Sequence, residues 1–390
     1  MNPPPGRLKF RGQAGPAAGH SGSGGPCPAG PGAFPAARPP AEAAPSETGT
    51  EKLLLFPEKL ASLRRADFQS PDPLYPVSVE LSLTNRCDLG CVYCSDSGIR
   101  RGPDLFTPAL LERLFDDLAA GGARGVVFEG GGEPLLSPLF PEAAEACAGR
   151  GLAAGLITNG LRLFADAAGA DSLARLQWIR VSLDAASEGQ YASLKGRRGY
   201  ARALRNIALL CSLDPRPAVG VGYVLTSRND DPALLRELGL TLKGLGADYL
   251  QIRPVVDHPE LESRRDLSEA LADLQDGSFS VNLAPLSDNL PVGNLGLPCL
   301  AHSLSAVICA DLRVFVCGRL NADPSFPPMG VLGQGHGEGF GGIWRGEGRA
   351  AQNALLLDGA WCAARCPRCR MTKYNRLLAD LGRLKTPDFI

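Results

Sequence analysis

The sequence predicts an α/β protein, an open three-quarter barrel of parallel strands followed by a small cysteine-rich C-terminal domain. Three observations predict it. From about residue 78 a β-rich run, a polar or glycine-rich loop and a helical stretch recur six times, and strands alternating with helices make βα units and a parallel sheet. The six units lie between residues 78 and 255, too short for a closed eight-unit barrel of about 250 residues. Six further cysteines, Cys299, Cys309, Cys317, Cys362, Cys366 and Cys369, all lie beyond the last unit.

Taken in order, residues 1–50 are crowded with Pro, Gly and Ala ("GPAAGHSGSGGPCPAGPGAFPAARPP"), a composition that cannot repay its ordering entropy by burial. They are expected as a disordered tail, with Cys27 an incidental thiol. Residues 51–75, containing the amphipathic "EKLLLFPEKLASLRRADF", read as a helix leading into a barrel at 76–256. Its strands are "VSVELSL", "RGVVFEG", "AAGLIT", "WIRVSLD", "AVGVGYVL" and "ADYLQIRPV". Helical patterns such as "TPALLERLFDDLAAGG" and "YARALRNIALLCSL" lie between them. A polar stretch, 257–298, reads as a linker, and 299–380 as the second domain.

Charge narrows the function classes. With 40 basic against 41 acidic residues there is no electrostatic case for nucleic acid or an anionic membrane as partner. The start "MNPPPGRLKF" lacks a secretory apolar segment, and no apolar run approaches the roughly 18 residues of a membrane span. A cytoplasmic protein is expected. In a chain of 390 residues twelve cysteines are better read as metal ligands than as staples.

The chemistry-bearing residues collect at one end of the strands. After the first comes the cysteine loop, after the second "EGGGEP" and after the third "TNG"; the fourth ends in Ser182 and Asp184, the fifth leads to Thr226 and Asn229, and the sixth carries Gln251 and Arg253. In parallel barrels these ends converge on one face. The loop "NRCDLGCVYCSDSG" holds three cysteines within eight positions. A structural zinc wants four ligands, whereas three thiolates on a four-iron cluster leave one iron open to a substrate or cofactor.

Cys87, Cys91 and Cys94 in the spacing C-x3-C-x2-C, Tyr93 at the aromatic position and "GGGEP" in the next loop make residues 76–255 resemble the radical S-adenosylmethionine (radical SAM) superfamily. The resemblance implies a partial (β/α)6 barrel and a [4Fe-4S] cluster on those three thiolates. It implies S-adenosylmethionine at Gly130, Gly131, Gly132 and Glu133, with Ser182, Asp184 and Asn229 as further contacts. Glu133 is suited to the methionine ammonium, and the glycines to close backbone approach. Without a following Lys-Ser/Thr the triple glycine is no phosphate loop. Glu129 is either a cofactor contact or a structural carboxylate, and the alternative to the cofactor reading of Ser182 and Asp184 is an ordinary helix N-cap pair.

The stretch "PCLAHSLSAVICADLRVFVCGRL" reads as a β-hairpin turning at "ADLR", and "WCAARCPRCRMTKYN" as a cysteine knuckle. Four thiolates from the two would close a cluster fully. This region resembles the SPASM domain and its shortened form, twitch, with Cys299, Cys317, Cys366 and Cys369 as the implied ligands. Two departures stand out: Leu312 replaces the family's glycine ahead of the second cysteine, and the C-x2-C-x5-C-x3-C run of full SPASM domains is missing. One auxiliary [4Fe-4S] cluster is therefore expected, with zinc in the same thiolates as the alternative. Cys147, Cys211 and Cys309 read as packed residues, Cys362 as a substitute ligand or a close neighbour, and His258 and His302 have no partner spacing.

The resemblance further implies reductive cleavage of S-adenosylmethionine and hydrogen abstraction from a substrate, with an external electron donor such as flavodoxin or ferredoxin. Oxidation or dehydrogenation of a polar small molecule, the auxiliary cluster accepting the second electron, is the expected outcome. Arg253 would grip or deprotonate that substrate, or else form an ordinary ion pair. The alternative is a SPASM-type ribosomal peptide maturase, although 51–75 is short for a fused leader-binding domain. A non-catalytic zinc or scaffold protein is the second alternative.

Overall fold

Val79 and Leu81 are fully buried while their neighbours Ser78 and Glu80 are not, so the first strand packs one face against helices and turns the other into a lumen. The computed structural model describes residues 50–65, 74–98, 102–163, 167–284, 297–323, 325–333, 339–366, 369 and 371–383. The expected tail over 1–49, with Cys27, lies outside them. A first helix, α1 (Pro57–Arg65), precedes β1 (Ser78–Leu81). The barrel continues through α2 (Pro108–Ala120), β2 (Gly125–Phe128), α3 (Phe140–Gly149), β3 (Ala153–Thr158), α4 (Ala167–Ala174) and β4 (Trp178–Ser182). It ends with α5 (Glu188–Lys195), α6 (Tyr200–Cys211), β5 (Ala218–Leu225), α7 (Pro232–Gly244) and β6 (Tyr249–Pro254).

Strands β1 to β6 are neighbours in chain order and every pair is parallel. This is the expected partial (β/α)6 barrel. Its helices start where the sequence supplies caps: Thr107 accepts the Leu110 N–H, Asp231 accepts those of Ala233 and Leu234, and prolines follow both at the first helical position. On the lumen side two aromatics lie over glycines of adjacent strands. A Cβ on Gly155 would meet the Trp178 ring at 2.2 Å, and one on Gly220 the Tyr249 ring at 2.0 Å. These rings fill the lumen below the strand ends.

The sheet does not stop at six strands. Within 257–298, α8 (Ser268–Leu271) is followed by β7 (Ser280–Leu283), which adds parallel to β6. On the other side β8 (Ser305–Ile308) pairs parallel with β1, and β9 (Arg313–Phe315) and β10 (Gly330–Val331) follow antiparallel. The order is therefore β10-β9-β8-β1-β2-β3-β4-β5-β6-β7. Without β8, β1 would be an edge with unpaired backbone groups. The cysteine hairpin thus belongs to the barrel's own sheet.

Helices α9 (Phe340–Trp344), α10 (Glu347–Leu356), α11 (Gly359–Arg365) and α12 (Thr372–Arg383) complete the chain. Trp344 is fully buried, stacks on Phe340 and donates its indole N–H to the Leu74 carbonyl. Tyr75 packs edge-on against Phe340 and donates to Asp117 of α2. Leu63 of α1 shares a smaller apolar cluster with Leu300, Leu304 and Leu378 of α12. Among the described residues no helix is long and apolar enough to cross a membrane.

Candidate active site

The cysteine loop is bound to the turns after β2, β3 and β4 and to the end of α5. At its start Thr84 donates its hydroxyl to Asp104 at 2.6 Å and the Asn85 N–H donates to the same carboxylate at 2.8 Å. The Gly132 and Glu133 N–H groups donate to the Thr84 and Arg86 carbonyls at 2.9 and 2.8 Å. Asp88 accepts from the Asn159 amide at 2.7 Å. The Gly90 and Val92 N–H groups, on either side of Cys91, donate to the Lys195 and Leu194 carbonyls, each at 3.0 Å. Tyr93 donates to Asp184 at 2.9 Å.

The triple glycine is explained by this crowding. A Cβ on Gly132 would stand 2.0 Å from the Arg86 carbonyl oxygen, and one on Gly131, where φ is +53°, 2.5 Å from the Ser82 hydroxyl. The close approach foreseen for a cofactor is in the first place an approach to the cysteine loop.

Glu133 is 3% exposed and accepts three hydrogen bonds. These come from the Leu135 N–H at 3.2 Å, the Thr158 hydroxyl at 2.6 Å and the Asn159 N–H at 2.7 Å. Burial nevertheless pushes its carboxyl up to about 7, against the lowering effect of those donors.

Asp184, two residues beyond the end of β4, lies in the left-handed region, φ +54°. Its carboxylate accepts from the Val224 N–H at 2.6 Å, from Tyr93 and from the ammonium of Lys195. Asn229 is fully used as well: its amide donates to the Asp184 and Val224 carbonyls, and its oxygen accepts from Thr226. Ser182 is partly exposed on the lumen face of β4. Gln251 accepts from Arg180 at 2.8 Å across the lumen, and Arg253 follows two residues on, on the same face of β6.

Cys87, Cys91 and Cys94 are partly exposed and in no disulfide. Burial raises Cys91 to about 11, Lys195 opposes the rise, and Asp184, Cys94 and Cys87 add to it. The three thiols therefore lie within one another's field, and as soft donors on one loop they fit a four-iron cluster.

The second group also gathers. Burial raises Cys299 well above the usual thiol range, and Cys317, Cys369, Cys362 and Cys366 reinforce the effect. Cys366 is pushed up to about 12 by burial and then by Cys317, Cys369 and Cys362, with Arg319 opposing. Cys362 is fully buried and its thiol donates to the Leu356 carbonyl at 3.2 Å, a carbonyl that also accepts the Cys299 N–H. Cys309 is buried in β8's extension and accepts from the Asn321 amide at 3.7 Å. Cys147 lies in the main core, Cys211 at its margin. His302 is buried against Arg349, and half-buried His258 contacts Glu260.

Among the described residues no three His, Cys, Asp or Glu side chains converge tightly enough to hold a single metal ion. The thiolates of a four-iron cluster each serve their own iron rather than one centre.

Two residues of the mouth escaped sequence reading. Lys195 ends an amphipathic helix, where a lysine normally stands in solvent, and no motif distinguishes it. Asp104, which fixes the cysteine loop, lies beyond that motif and has no fixed spacing to it.

Three thiols on the first βα loop of an open parallel barrel, beside a glycine turn and a buried glutamate, define an iron–sulfur enzyme of the S-adenosylmethionine-cleaving kind. Residues 81–238 match the model of the Radical SAM superfamily, so the barrel is a radical SAM domain, with a [4Fe-4S] cluster and S-adenosylmethionine as its cofactors. The chain is similar to the mycofactocin maturase MftC of Mycobacterium ulcerans, 27% identical over 288 residues, 69% of this chain and 74% of that one. It is 37% identical to a probable GTP 3′,8-cyclase of Methanopyrus kandleri over 177 residues, covering 45% and 56%. To the PqqA peptide cyclase of a Methylobacterium species it is 34% identical over 184 residues, covering 45% and 46%. Among solved structures it superposes on Streptococcus suis SuiB bound to precursor peptide SuiA with a TM-score of 0.60 at 15% identity, over 84% of this chain and 78% of that one.

Proposed function

We propose that this radical SAM enzyme modifies a peptide. The carrying observation is the reach of the maturase likeness. The match to MftC runs over 288 residues, well beyond the span 81–238 of the superfamily model, whereas the GTP cyclase match covers 45% of the chain. PqqA peptide cyclase, a relative named for a peptide substrate, matches over the same 45% share as the GTP cyclase, so the longer MftC match carries the reading. The continuity of the sheet from β1 into β8 supports treating barrel and cysteine hairpin as one working unit. Oxidation of a polar small molecule, the first expectation from sequence, has less support.

In this reading Cys87, Cys91 and Cys94 hold the catalytic cluster, and Cys299, Cys317, Cys366 and Cys369 hold an auxiliary one. Glu133 faces the cofactor's ammonium with its remaining lone pairs, and Gly130, Gly131 and Gly132 carry the turn that aims it. Ser182, on the lumen face of β4, is the ribose contact. Asp184 and Asn229 act differently: their polar groups are committed to Lys195, Tyr93, Val224 and Thr226, so they shape the floor on which the cofactor lies. Arg253 lies on the lumen face of β6 and meets the peptide. When bound, cluster and cofactor together supply one-electron cleavage of a carbon–sulfur bond and abstraction of hydrogen from an unactivated carbon. The residues of the mouth hold, orient and shield.

The experiment is anaerobic incubation of the reconstituted protein with reductant, S-adenosylmethionine and each short peptide encoded beside its gene, read by peptide mass spectrometry. A peptide mass change with matching 5′-deoxyadenosine is expected. Turnover of a polar small molecule with every peptide unchanged would overturn the reading.

A further inference from the structure

Holding cluster and cofactor accounts for the cysteines and the glycine turn but not for Lys195. Its side chain and that of Asp184 are each 3% exposed and form a buried ion pair. Desolvating two charges costs several kcal/mol per ion, a cost that the surrounding fold has to offset.

Backbone and side chain both fix Lys195 beside the cysteine loop. Its carbonyl and that of Leu194 accept the N–H groups flanking Cys91. Gly196, with φ +79°, lets the chain turn under Gly90, where a Cβ would stand 3.1 Å from the Gly90 oxygen. The ammonium lies 5.7 Å from the centre of the Tyr93 ring, and the Tyr93 hydroxyl donates to the same Asp184 carboxylate. Cys91 and Cys87 both lie within the field of the ammonium. The other Asp184 oxygen is anchored by the Val224 N–H of β5.

Reducing an iron–sulfur cluster adds negative charge, so a fixed cation nearby favours the reduced state and a fixed anion opposes it, most strongly where water is excluded. We propose that the Lys195–Asp184 pair is a fixed dipole that tunes the reduction potential of the cluster held by Cys87, Cys91 and Cys94, with the Lys195 ammonium favouring the reduced state. It rests on the assignment of those three cysteines as ligands. Lys195 acts through the cluster and is a positioning residue.

The test is an anaerobic redox titration of the full-length reconstituted protein, followed by electron paramagnetic resonance without S-adenosylmethionine. The barrel cluster's signal is the one that changes when the cofactor is then added. Lys195→Met leaves an unopposed carboxylate and should move the midpoint to more negative potential. Asp184→Asn leaves an unopposed ammonium and should move it the other way. Each shift should alter the reduced-to-oxidised ratio at least tenfold, which is about 59 mV for one electron. The double variant should return towards the parent value, and Lys195→Arg should stay near it.

Wild-type midpoints in both single variants, or shifts of the same sign, would overturn the proposal. So would weaker S-adenosylmethionine binding by Lys195→Met at an unchanged midpoint, which would assign the lysine to the cofactor. If Lys195→Met fails to take up iron, Asp184→Asn decides alone: an upward shift supports the proposal and an unchanged midpoint overturns it. Failure of the ligand assignment looks different, because a chain with Cys87, Cys91 and Cys94 all changed to Ala would then keep the cofactor-sensitive signal.

Discussion

The Glu133 carboxylate accepts the Asn159 N–H at 2.7 Å, which makes the turn after β2 and the turn after β3 one hydrogen-bonded unit. Asn159 in turn donates to Asp88 in the cysteine loop. One buried carboxylate therefore couples three loops of the mouth.

Its protonation should be visible in cofactor binding. Burial raises the Glu133 carboxyl to about 7 in the ligand-free protein, and a carboxylate grips an ammonium only when ionised. S-adenosylmethionine affinity is expected to rise as pH rises through about 6 to 8, and Glu133→Gln should flatten that dependence. Glu133→Ala should weaken binding by about 1.5 to 3 kcal/mol, the worth of a hydrogen bond to a charged group. Stability of the ligand-free protein runs the other way. The folded state holds the proton more tightly than the unfolded chain, so the contribution is full below about 4.5 and is lost as pH rises to about 7. Calorimetric titration against pH and thermal melts of parent and Glu133→Gln check both; identical pH profiles would contradict the assigned role.

Iron content tests the ligand sets. Two four-iron clusters give about eight irons per chain, and replacing Cys87, Cys91 and Cys94 together should remove about half. Stoichiometric zinc with no charge-transfer absorption would contradict the assignment.

The barrel was legible because its signal is periodic. The runs around Val79, Ile179 and Val221 alternate or continue as buried strands must, and the caps at Thr107 and Asp231 mark their helices. The motif residues were legible by type, but their partners were not. Sequence spacing cannot show that Asp184 is satisfied by Lys195, or that Gly132 is needed because the Arg86 carbonyl stands over it. The pairing of β8 with β1 was hidden for another reason. It joins segments more than 200 residues apart, and the hairpin's own pattern says nothing of which edge it will cover.

The auxiliary site separates electron handling from cofactor cleavage. If Cys299, Cys317, Cys366 and Cys369 close a cluster, Cys317→Ser or Cys369→Ser should spare cleavage of S-adenosylmethionine and abolish substrate conversion. Cys309 and Cys362 already hydrogen-bond to Asn321 and to the Leu356 carbonyl, and their Ser variants should keep the auxiliary cluster. Because a lost ligand can unfold its domain, circular dichroism and the spectrum of the barrel cluster must accompany the assay. Loss of the auxiliary cluster in Cys362→Ser but not in Cys299→Ser would reassign the ligands.

Leu312 offers a test independent of iron. It occupies the hairpin turn between β8 and β9 at φ +68°, a backbone region where a side chain with a Cβ costs roughly 1–2 kcal/mol and glycine almost nothing. The resemblance to twitch and SPASM domains implies glycine at this position, and a positive φ is the conformation glycine favours. Its backbone is held from both sides: the Leu312 N–H donates to the Cys309 carbonyl at 2.9 Å, and its own carbonyl accepts the Leu332 N–H at 3.0 Å. Leu312→Gly relieves the strained φ, while the unfolded chain gains glycine's extra freedom, worth roughly 0.5–1 kcal/mol. Some apolar contact is also lost, since Leu312 is only partly buried against the core. The balance is a stabilisation of about 0.5 kcal/mol, with iron content unchanged. Leu312→Ala keeps the strain and loses the contact, so it should melt below the parent while Leu312→Gly melts at or above it. If Gly melts below Ala, the left-handed turn is not what the hairpin adopts.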